Sequence, residues 1–403
     1  MKALVIGAGG VGSAIANIAS RRPFITEMVI ADYSLSRATA AVAKANDPRF
    51  SAAEVNASDV ANIRALIRSA NPDIVVNAVD PRFVMPIFTA CEEEKVHYMD
   101  MAMSLSIAHP EHPTTKTGVK LGDDQFARDA AWKSAGIYAV VGMGIEPGMS
   151  DVFARYAADE LFSQIDYLAV MDGSNLAVSG YEFAPSFSIW TTIEECLNPP
   201  LIWEKGRGWY TTEPFSELET FDFPEGIGPV ECVNVEHEEV VLIPQKVDAG
   251  EVRFKYGLGA DFINTLKTIH ALGLDRKDKV KVGGVEVSPR DLLAALLPDP
   301  ATLGDHMSGK TCAGTLVKGL GKDGKPRAVY LYNVVDNEWS MKNYGNQAVV
   351  WQTAINPVIA MELIHNGQWK PEGICGPEWF DAKPFLDLIS EYDSSWHMRE
   401  EKI

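Results

Sequence analysis

The chain has 403 residues and a formal net charge of −19 at pH 7, because 55 Asp and Glu residues outnumber 36 Lys and Arg residues. Nucleic acids and anionic membrane surfaces would be repelled by such a protein, and no basic stripe in the sequence offsets the charge, so neither is an expected partner. The length exceeds that of one ordinary hydrophobic core and predicts two domains.

The first predicted element is a strand at residues 3–6, which runs into a glycine-rich turn and then into a helical segment from Ser13. In a turn of this spacing, Gly7 permits the change of direction, Gly9 lets the backbone approach a pyrophosphate, and Gly12 lets the helix pack against the strand. The free N–H groups at the helix N-terminus favour an anion. We therefore predict a dinucleotide site whose cofactor-binding residues include Gly7, Gly9, Gly10, Val11 and Gly12.

A second predicted strand, residues 28–31, ends in Asp32. An acidic residue about 20 positions past the glycine motif is expected to bond the adenosine ribose. A carboxylate at this position accepts from a free ribose hydroxyl and repels a 2′-phosphate, so Asp32 with Tyr33 favours NAD over NADP. The nearby Arg37 softens this preference, and NADP remains the alternative.

Helix and strand signals alternate through the rest of the first third. Helices are predicted at residues 34–46, from residue 60 after an N-cap at Asp59, at 83–95 and at 125–134, and strands at 73–79, 96–100 and 137–141. Such alternation is typical of a parallel sheet, and the fold class we predict is α/β: a doubly wound Rossmann sheet plus an α+β catalytic and dimerisation domain. Asn77, Asp80 and Pro81 end the central strand at its carboxyl side, where we expect them to contact the cofactor.

Residues 104–124 form a long break rich in Pro, Thr, Gly and His, and we interpret it as a flap beside the crevice. Beyond residue 165 the pattern changes to strands at 167–171, 240–243 and 251–256, a helix at 260–272, and a hairpin that joins 315–318 to 328–334. An apolar helix at 348–363 is expected to return to the first domain. The predicted domains are residues 1–150 with 345–403, which bind the dinucleotide, and residues 151–344, which bind substrate.

Several short motifs are spread along the chain: residues 7–12, His97-Tyr98-Met99-Asp100, residues 144–149, His237-Glu238-Glu239, residues 297–300, 309–311, 322–325 and 330–334. In their order and spacing they resemble the saccharopine dehydrogenase-like family, most closely its carboxynorspermidine dehydrogenase branch. The resemblance implies pyridine-nucleotide redox chemistry at a C–N bond. Relatives that use NADP tend to carry Ser or Arg where this chain has Asp32-Tyr33, and residues 104–124 and 183–203 also differ from that branch.

Three residues are candidates for catalysis. His237 is suited to proton transfer because imidazole titrates near neutral pH and a neighbouring glutamate can orient it, although a single histidine is often structural. Asp100 follows a strand at the crevice edge, where it anchors an amine or accepts a proton, or else caps a helix. The resemblance places the loop of Glu146 against substrate and nicotinamide; its alternative is a solvated turn.

Four further residues are predicted to bind substrate: Glu238, Trp190, Lys310 and Tyr98. The aromatic ring of Trp190 would suit an alkylammonium chain, and the alternative is a place in the core. Lys310 would hold a substrate carboxylate, and the alternative is an ordinary surface lysine. No cluster of His, Cys and carboxylates has metal-ligand spacing, so we predict no metal.

The leading hypothesis is an NAD(P)-dependent oxidoreductase that interconverts a secondary amine of carboxynorspermidine or saccharopine type with an imine. An NAD-dependent lysine 6-dehydrogenase, acting on a primary amine, is the alternative within enzymes. A non-catalytic, NAD-binding redox sensor is the alternative of another class.

The five cysteines are widely separated and contain no Cys-x-x-Cys pair, which indicates reduced thiols. No apolar run approaches the roughly 20 residues that span a bilayer, and no leader pattern precedes the first strand. We expect a cytoplasmic protein, and the family resemblance implies a homodimer.

Overall fold

The computed structural model describes all 403 residues. The first part of the chain contains β1 (Lys2–Ile6), α1 (Gly10–Ala19), β2 (Glu27–Asp32), α2 (Leu35–Ala45), β3 (Phe50–Glu54), α3 (Val60–Ala70), β4 (Ile74–Asn77), α4 (Val84–Glu94), β5 (His97–Asp100), α5 (Asp123–Phe126), α6 (Asp129–Ala135), β6 (Tyr138–Val140) and α7 (Met149–Tyr156). Every helix predicted in this region is present, and the one predicted at 125–134 is divided into α5 and α6.

The second part begins with a long strand and ends in a short one. It contains β7 (Phe162–Ser174), β8 (Ala177–Val178), α8 (Ile189–Leu197), β9 (Leu201–Glu204), β10 (Gly208–Thr211), β11 (Glu219–Phe223), β12 (Gly228–Asn234), α9 (Glu239–Leu242), β13 (Glu251–Gly257), α10 (Ala260–Ala271), β14 (Val280–Val282), β15 (Val285–Val287), α11 (Pro289–Leu296), β16 (Met307–Ser308), β17 (Lys310–Gly321), β18 (Pro326–Asp336), α12 (Asn337–Tyr344), α13 (Ala348–His365), β19 (Gly373–Cys375), α14 (Lys383–Leu388) and β20 (His397–Glu400).

Seven parallel strands form the first sheet, in the order β19-β6-β5-β4-β1-β2-β3. The chain runs outward from β1 to β3 and then returns to β4 on the other side of β1, so the direction of strand order reverses between β1 and β4. In sheets of this kind, ligands bind at that reversal, outside the carboxyl ends of the strands. The predicted Rossmann architecture is confirmed, and it places the glycine turn at the ligand crevice.

The edge strand β3 was not predicted. Its sequence, Phe-Ser-Ala-Ala-Glu, has one large apolar residue and no β-branched residue, so it carries little strand signal of its own. Hydrogen bonding to β2 therefore stabilises this strand, although its own sequence has little strand propensity.

The second sheet has nine strands. Seven follow the order β10-β9-β13-β7-β17-β18-β20, and β12 with β11 branches from β13. The predicted hairpin is confirmed as the antiparallel pair β17 and β18. The predicted strand at 240–243 is wrong, because this segment forms α9 and a short turn. Val240, Val241, Leu242 and Ile243 are all buried, so the helix shows no polar face that would have revealed its period.

The C-terminal residues return to both sheets. Helix α13 packs on α1, and β19 adds the seventh strand to the first sheet. Strand β20, however, pairs with β18 in the second sheet. The end of the range 345–403, which the sequence predicts to belong to the dinucleotide domain, therefore lies with the second sheet. No helix in the structure combines the length and the apolar character that crossing a bilayer requires.

Candidate active site

A cavity of about 640 Å³ lies between the two sheets. One end is formed by the glycine turn and by the loops that follow β2, β3 and β4. The other end is formed by side chains of α8, β13 and the segment that precedes α9, among them Glu195, Tyr256 and His237. The volume and the two-domain setting are typical of a site for a cofactor and a small substrate.

The glycine turn has the backbone geometry that its spacing predicts. Gly7 has φ of +110°, and a Cβ on Gly7 would come within 2.5 Å of the carbonyl oxygen of Ala78. A Cβ on Gly12 would come within 1.8 Å of the carbonyl oxygen of Gly7. Gly7, Gly9, Gly10 and Val11 line the cavity, whereas Gly12 lies behind the turn and sets the distance from helix to strand. The N-terminus of α1 and the bare face of Gly9 therefore fit a dinucleotide pyrophosphate.

Asp32 lines the cavity and also holds the glycine turn in place. Its Oδ2 accepts from the backbone N–H of Ala8 at 2.8 Å, and its Oδ1 accepts from Ser34 N–H at 3.0 Å. Tyr33 and Arg37 line the cavity beside it, and an Arg37 N–H donates to the Tyr33 hydroxyl at 3.4 Å. Asn56, which follows the unpredicted β3, also lines this end. It was missed because the strand that positions it was missed.

The loop after β4 supplies the middle of the cavity wall, where Asn77, Asp80 and Pro81 all lie. Asn77 donates to the hydroxyl of Tyr98 at 3.0 Å, and its Oδ1 accepts from a backbone N–H. Tyr98 itself is fully buried and does not line the cavity, so it supports Asn77 from behind. Asp80 caps the short helical turn that follows and bonds Arg82 at 2.8 Å.

His237 reaches the other end of the cavity from the extended segment between β12 and α9. Its Nδ1 lies 2.6 Å from Glu239 Oε2 and 3.4 Å from a carboxylate oxygen of Glu238. The ring stacks on Phe254, with 3.9 Å between centroids. Burial lowers the pKa of His237, but Glu239 and the other surrounding carboxylates more than offset this and raise it well above the usual value. The surrounding carboxylates therefore favour the imidazolium form, and Nε2 makes no hydrogen bond within the protein, whereas Nδ1 faces Glu239.

Three more acids surround the imidazole. Burial raises the pKa of Glu195, on α8, to about 8, and that of Asp172, on β7, to about 7. Burial also raises the pKa of Glu146 well above its usual range, and the charge of Asp172 adds to the effect. The Oε2 atom of Glu146 is buried without a hydrogen-bond partner. The site thus contains more acidic groups than its own histidine can neutralise.

The cluster is suited to a bound cation. The donor atoms of His237, Glu238 and Glu239 lie within 4.8 Å of one another, so the expectation that no such cluster has metal-ligand spacing is wrong, although Nδ1 of His237 is already bonded to Glu239. The lining of the whole cavity includes only two basic side chains besides His237, Arg37 and Arg82. Carboxylates that have no basic partner bind ammonium groups through short, charge-assisted hydrogen bonds. Glu195 and Asp172 escaped the sequence-based site prediction because neither belongs to a motif, and Asp172 stands inside an apolar strand.

Four residues that the sequence predicts to be catalytic or substrate-binding do not line the cavity: Tyr98, which supports Asn77, and Asp100, Trp190 and Lys310. Asp100 is buried beneath the loop after β6, where it accepts from Gly142 N–H at 2.7 Å and from the amide of Gln125 at 2.8 Å. Its burial raises the pKa to about 7. Asp100 does not line the cavity, so its position favours a structural role over contact with an amine.

Trp190 is covered by the protein's own cations: the guanidinium carbon of Arg82 lies 4.2 Å from its ring centroid and that of Arg290 lies 4.9 Å away. Lys310 donates to the carbonyl oxygen of Glu225 at 3.2 Å, away from the cavity. These contacts occupy the ring and the ammonium that the sequence predicts to bind substrate, so both predictions are wrong. Neither residue is part of the cavity lining.

The expected flap is anchored. Residues 107 and 119 form a β-bridge, and the hydroxyl of Thr211 donates to the carbonyl oxygen of Pro113 at 2.8 Å. Ser106 donates to Glu236 at 2.8 Å. Because no residue of 104–124 lines the cavity, this segment braces the second sheet and does not cover the crevice.

Two family models match the chain. Residues 3–140 match the saccharopine dehydrogenase NADP binding domain, and residues 144–394 match the saccharopine dehydrogenase C-terminal domain. Among solved structures, apo saccharopine dehydrogenase (L-Glu forming) from Saccharomyces cerevisiae aligns over 100% of both chains with a TM-score of 0.71 and 13% sequence identity. This last likeness supports the fold.

Curated relatives align over almost the full chain. The carboxynorspermidine synthase of Vibrio alginolyticus is 31% identical over 99% of this chain and 97% of its own length. The protein of the same name from Vibrio cholerae is 30% identical, with the same coverage. The carboxyaminopropylagmatine dehydrogenase of Synechocystis is 29% identical over 98% of this chain and 97% of its own length.

Proposed function

The chain belongs to the saccharopine dehydrogenase family and is an NAD(P)-dependent oxidoreductase that acts on a CH–NH bond, and we propose that its substrate is a carboxylated polyamine of carboxynorspermidine type. Within this proposal, residues 1–150 with most of 345–403 bind the nicotinamide cofactor. Residues 151–344 bind the amine and supply the proton-transfer group.

One observation carries the choice of an amine with more than one positive charge: the carboxyl groups of Glu146, Glu195 and Glu238 line the same cavity as His237, and the lining contains no lysine. Burial makes each of these acids costly to ionise in the absence of a counter-ion. A substrate ammonium group supplies the counter-ion, so binding and ionisation favour each other. A neutral or anionic substrate would leave the acids uncompensated.

A nicotinamide bound at the glycine turn and Asp32 would supply or accept the hydride. The protein has to hold the amine and move one proton, and His237 is placed for that second task. In reduction, the imidazolium donates its Nε2 proton to the imine nitrogen as the carbon takes the hydride. In oxidation, the same nitrogen atom of His237 accepts the amine proton. Glu239, bonded to Nδ1, fixes the ring orientation and stabilises its charge.

For the cofactor we propose NAD(H), because Asp32 stands at the ribose end of the cavity with a carboxylate that repels a 2′-phosphate. NADP(H) is a second candidate on a specific observation: Arg37 lines the same end and pairs with Tyr33. We further propose a cytoplasmic homodimer on the basis of the family resemblance. Light scattering of the purified protein tests the dimer.

Turnover assays test the substrate. The absorbance of the reduced nicotinamide is followed with carboxynorspermidine, saccharopine and lysine, each with NAD and with NADP. We expect carboxynorspermidine to give the highest kcat/KM. Oxidation of lysine alone would overturn the proposal in favour of a lysine 6-dehydrogenase. Cofactor binding without turnover of any amine would favour the redox sensor.

A further inference from the structure

One face of helix α8 borders the cavity. Ser188, which is the N-cap of this helix, lines the cavity together with Thr191, Thr192 and Glu195. The spacing i, i+3, i+4 and i+7 places these side chains on one side of a helix. The first N–H groups of a helix have no carbonyl partner within it, and in α8 they lie at the end that Ser188 joins to the cavity wall. The N-terminal end of α8 is therefore part of the site.

The hydroxyl of Thr191 has no hydrogen-bond partner within the protein. Thr191 is 6% exposed, and only its backbone N–H is bonded, to the hydroxyl oxygen of Ser188 at 3.4 Å. The neighbouring Thr192 differs, because its hydroxyl donates to the carbonyl oxygen of Ser188 at 2.9 Å. A buried hydroxyl without a partner costs free energy, which a ligand in the cavity recovers by bonding it. Thr191 therefore indicates a polar ligand group at this end of α8.

The surrounding elements hold this end of the helix in place. Gln347, the N-cap of α13, donates to the carbonyl oxygen of Ser186 at 2.7 Å, just before α8 begins. Arg290, on α11, pairs with Glu194, and both side chains are buried. Because α8 is fixed from two sides, its donors need little reorganisation before a ligand binds.

The charge next to this end of α8 is positive. The guanidinium carbon of Arg82, which lines the cavity, lies 4.2 Å from the ring centroid of Trp190 in the first turn of α8. Arg82 bonds Asp80 at 2.8 Å and Asp291 at 3.3 Å, and a guanidinium, with five N–H groups, has donors to spare after these bonds. The helix N-terminus itself favours an anion. One turn further along the same face, Glu195 favours a cation.

We propose that the N-terminus of α8, with the hydroxyl of Thr191, binds the carboxylate of the substrate. The proposal rests on the proposed function and adds a second determinant of specificity to it. Side chains of a helix lean toward its N-terminus, so the side chain of Glu195 covers the turn that contains Thr191. The same helix thus offers an acceptor for an ammonium group beside donors for a carboxylate. A polyamine without a carboxylate leaves these donors unpaired.

Two amines that differ only in the carboxylate test the subsite: carboxynorspermidine and norspermidine. Calorimetry with the protein saturated by the reduced cofactor measures the Kd of each without turnover. We expect the wild type to bind carboxynorspermidine at least about 10-fold more tightly, because a hydrogen bond to a charged group is lost with norspermidine.

Thr191→Val keeps the branched shape of the side chain and removes its hydroxyl. We expect it to weaken binding of carboxynorspermidine by about 10-fold and to leave the Kd of norspermidine and of the cofactor unchanged. Thr191→Ser keeps the hydroxyl and should retain the wild-type preference. Thr268→Val is the matched control, because the hydroxyl of Thr268 bonds the carbonyl oxygen of Asn264 on the exposed face of α10.

Equal affinity of the wild type for the two amines would overturn the proposal. An equal loss of affinity for both amines in Thr191→Val would also overturn it, since the hydroxyl would then act on the amine or on the fold. Weaker cofactor binding in Thr191→Val with unchanged amine affinity would assign the subsite to a cofactor phosphate instead. Turnover of no amine by the wild type would refute the proposed function, whereas turnover of carboxynorspermidine with any of these binding results refutes the subsite alone.

Discussion

Nδ1 of His237 lies 2.6 Å from Oε2 of Glu239, and both side chains are buried at the end of the cavity that faces the second sheet. The bond leaves Nε2 as the ring nitrogen available to substrate. It also ties the only imidazole of the site to a carboxylate that sets its orientation and stabilises its charge.

Replacement of His237 by Asn should lower kcat by roughly 10²- to 10⁴-fold, which is the usual contribution of a positioned general acid or base. Glu239→Gln should have the same direction and a smaller effect, because the ring stays in place but loses stabilisation of its charge. Steady-state kinetics measure both. Cofactor affinity, measured by calorimetry, should not change, since neither side chain lies at the dinucleotide end. An unchanged kcat in His237→Asn would remove the residue from the mechanism.

The acids opposite His237 should determine amine affinity. Glu146→Gln and Glu195→Gln each remove one charge-assisted partner of the ammonium group, so KM for the amine should rise by roughly 10- to 100-fold. The KM for the cofactor is the internal control. Lys310→Ala should leave both KM values unaltered, because its ammonium bonds the backbone of Glu225 outside the cavity. A large change of the amine KM in Lys310→Ala would return that residue to the substrate site.

Two glycines of the turn should respond differently to the same substitution. Gly12→Ala brings a methyl group within 1.8 Å of the Gly7 carbonyl oxygen, so the helix must move and the free energy of unfolding should fall by about 1–3 kcal/mol. Gly9→Ala meets only the end of the flexible Arg37 side chain, at 3.4 Å. It should leave unfolding almost unaltered and weaken cofactor binding, because the methyl group occupies the approach of the pyrophosphate. Urea unfolding and calorimetry separate the two effects.

Asp32→Ser should shift cofactor preference toward NADP. Removal of the carboxylate ends its repulsion of a 2′-phosphate and leaves Arg37 as the nearest charge, so the ratio of kcat/KM for NADP to that for NAD should increase by at least about 10-fold. Because Asp32 also accepts a hydrogen bond from Ala8 N–H, the thermal stability of the variant should be measured together with its kinetics. Asp32→Ser combined with Arg37→Ala is the control, and it should lose the gain. A wild-type protein that already prefers NADP would contradict this assignment.

Sequence reasoning succeeded where function imposes a local pattern. The glycine turn, Asp32 and the loop of Asn77 and Asp80 belong to strand ends whose order along the chain fixes their place in a doubly wound sheet, and all of them reach the cavity. His237 also reaches it. Its neighbours could not be read in the same way, because Asp172 and Glu195 come from separate elements that only the tertiary fold brings together.

The misplaced residues share a physical reason. Asp100, Trp190 and Lys310 have side chains that would suit an amine or a carboxylate, but each has a partner within the protein that no local pattern reveals. The apolar segment at 240–243 failed for a related reason. When a short element is buried on every side, tertiary burial removes the polar and apolar periodicity that distinguishes helix from strand.

Glu236 should make the protein less stable as pH rises. It is buried, and burial raises its pKa from 4.5 to about 7, against the hydrogen bonds that Asn198 and Ser106 donate to it. Below the lower value the group is protonated in both the folded and the unfolded chain. Between pH 4.5 and about pH 7 the carboxyl is ionised in the unfolded chain and protonated in the folded one, so folding has to take up a proton. Above about pH 7 the folded protein has lost roughly 3 kcal/mol of stability from this group.

Glu236→Gln keeps an oxygen that can accept from both Asn198 and Ser106, which donate to the same carboxylate oxygen of Glu236, and it cannot ionise. Its free energy of unfolding relative to the wild type should therefore increase by roughly 3 kcal/mol between about pH 5 and about pH 8, as measured by urea unfolding at both values. Glu94→Gln is the control, because Arg68 and Arg64 lower the pKa of Glu94 from 4.5. Ionised Glu94 therefore stabilises the fold until the pH falls below this range. The difference in free energy of unfolding between Glu94→Gln and the wild type should stay constant between about pH 5 and about pH 8. If the difference in free energy of unfolding between Glu236→Gln and the wild type is also constant, the carboxyl of Glu236 is already ionised in the folded protein at about pH 5. That result would also contradict the raised pKa of the buried acids around His237.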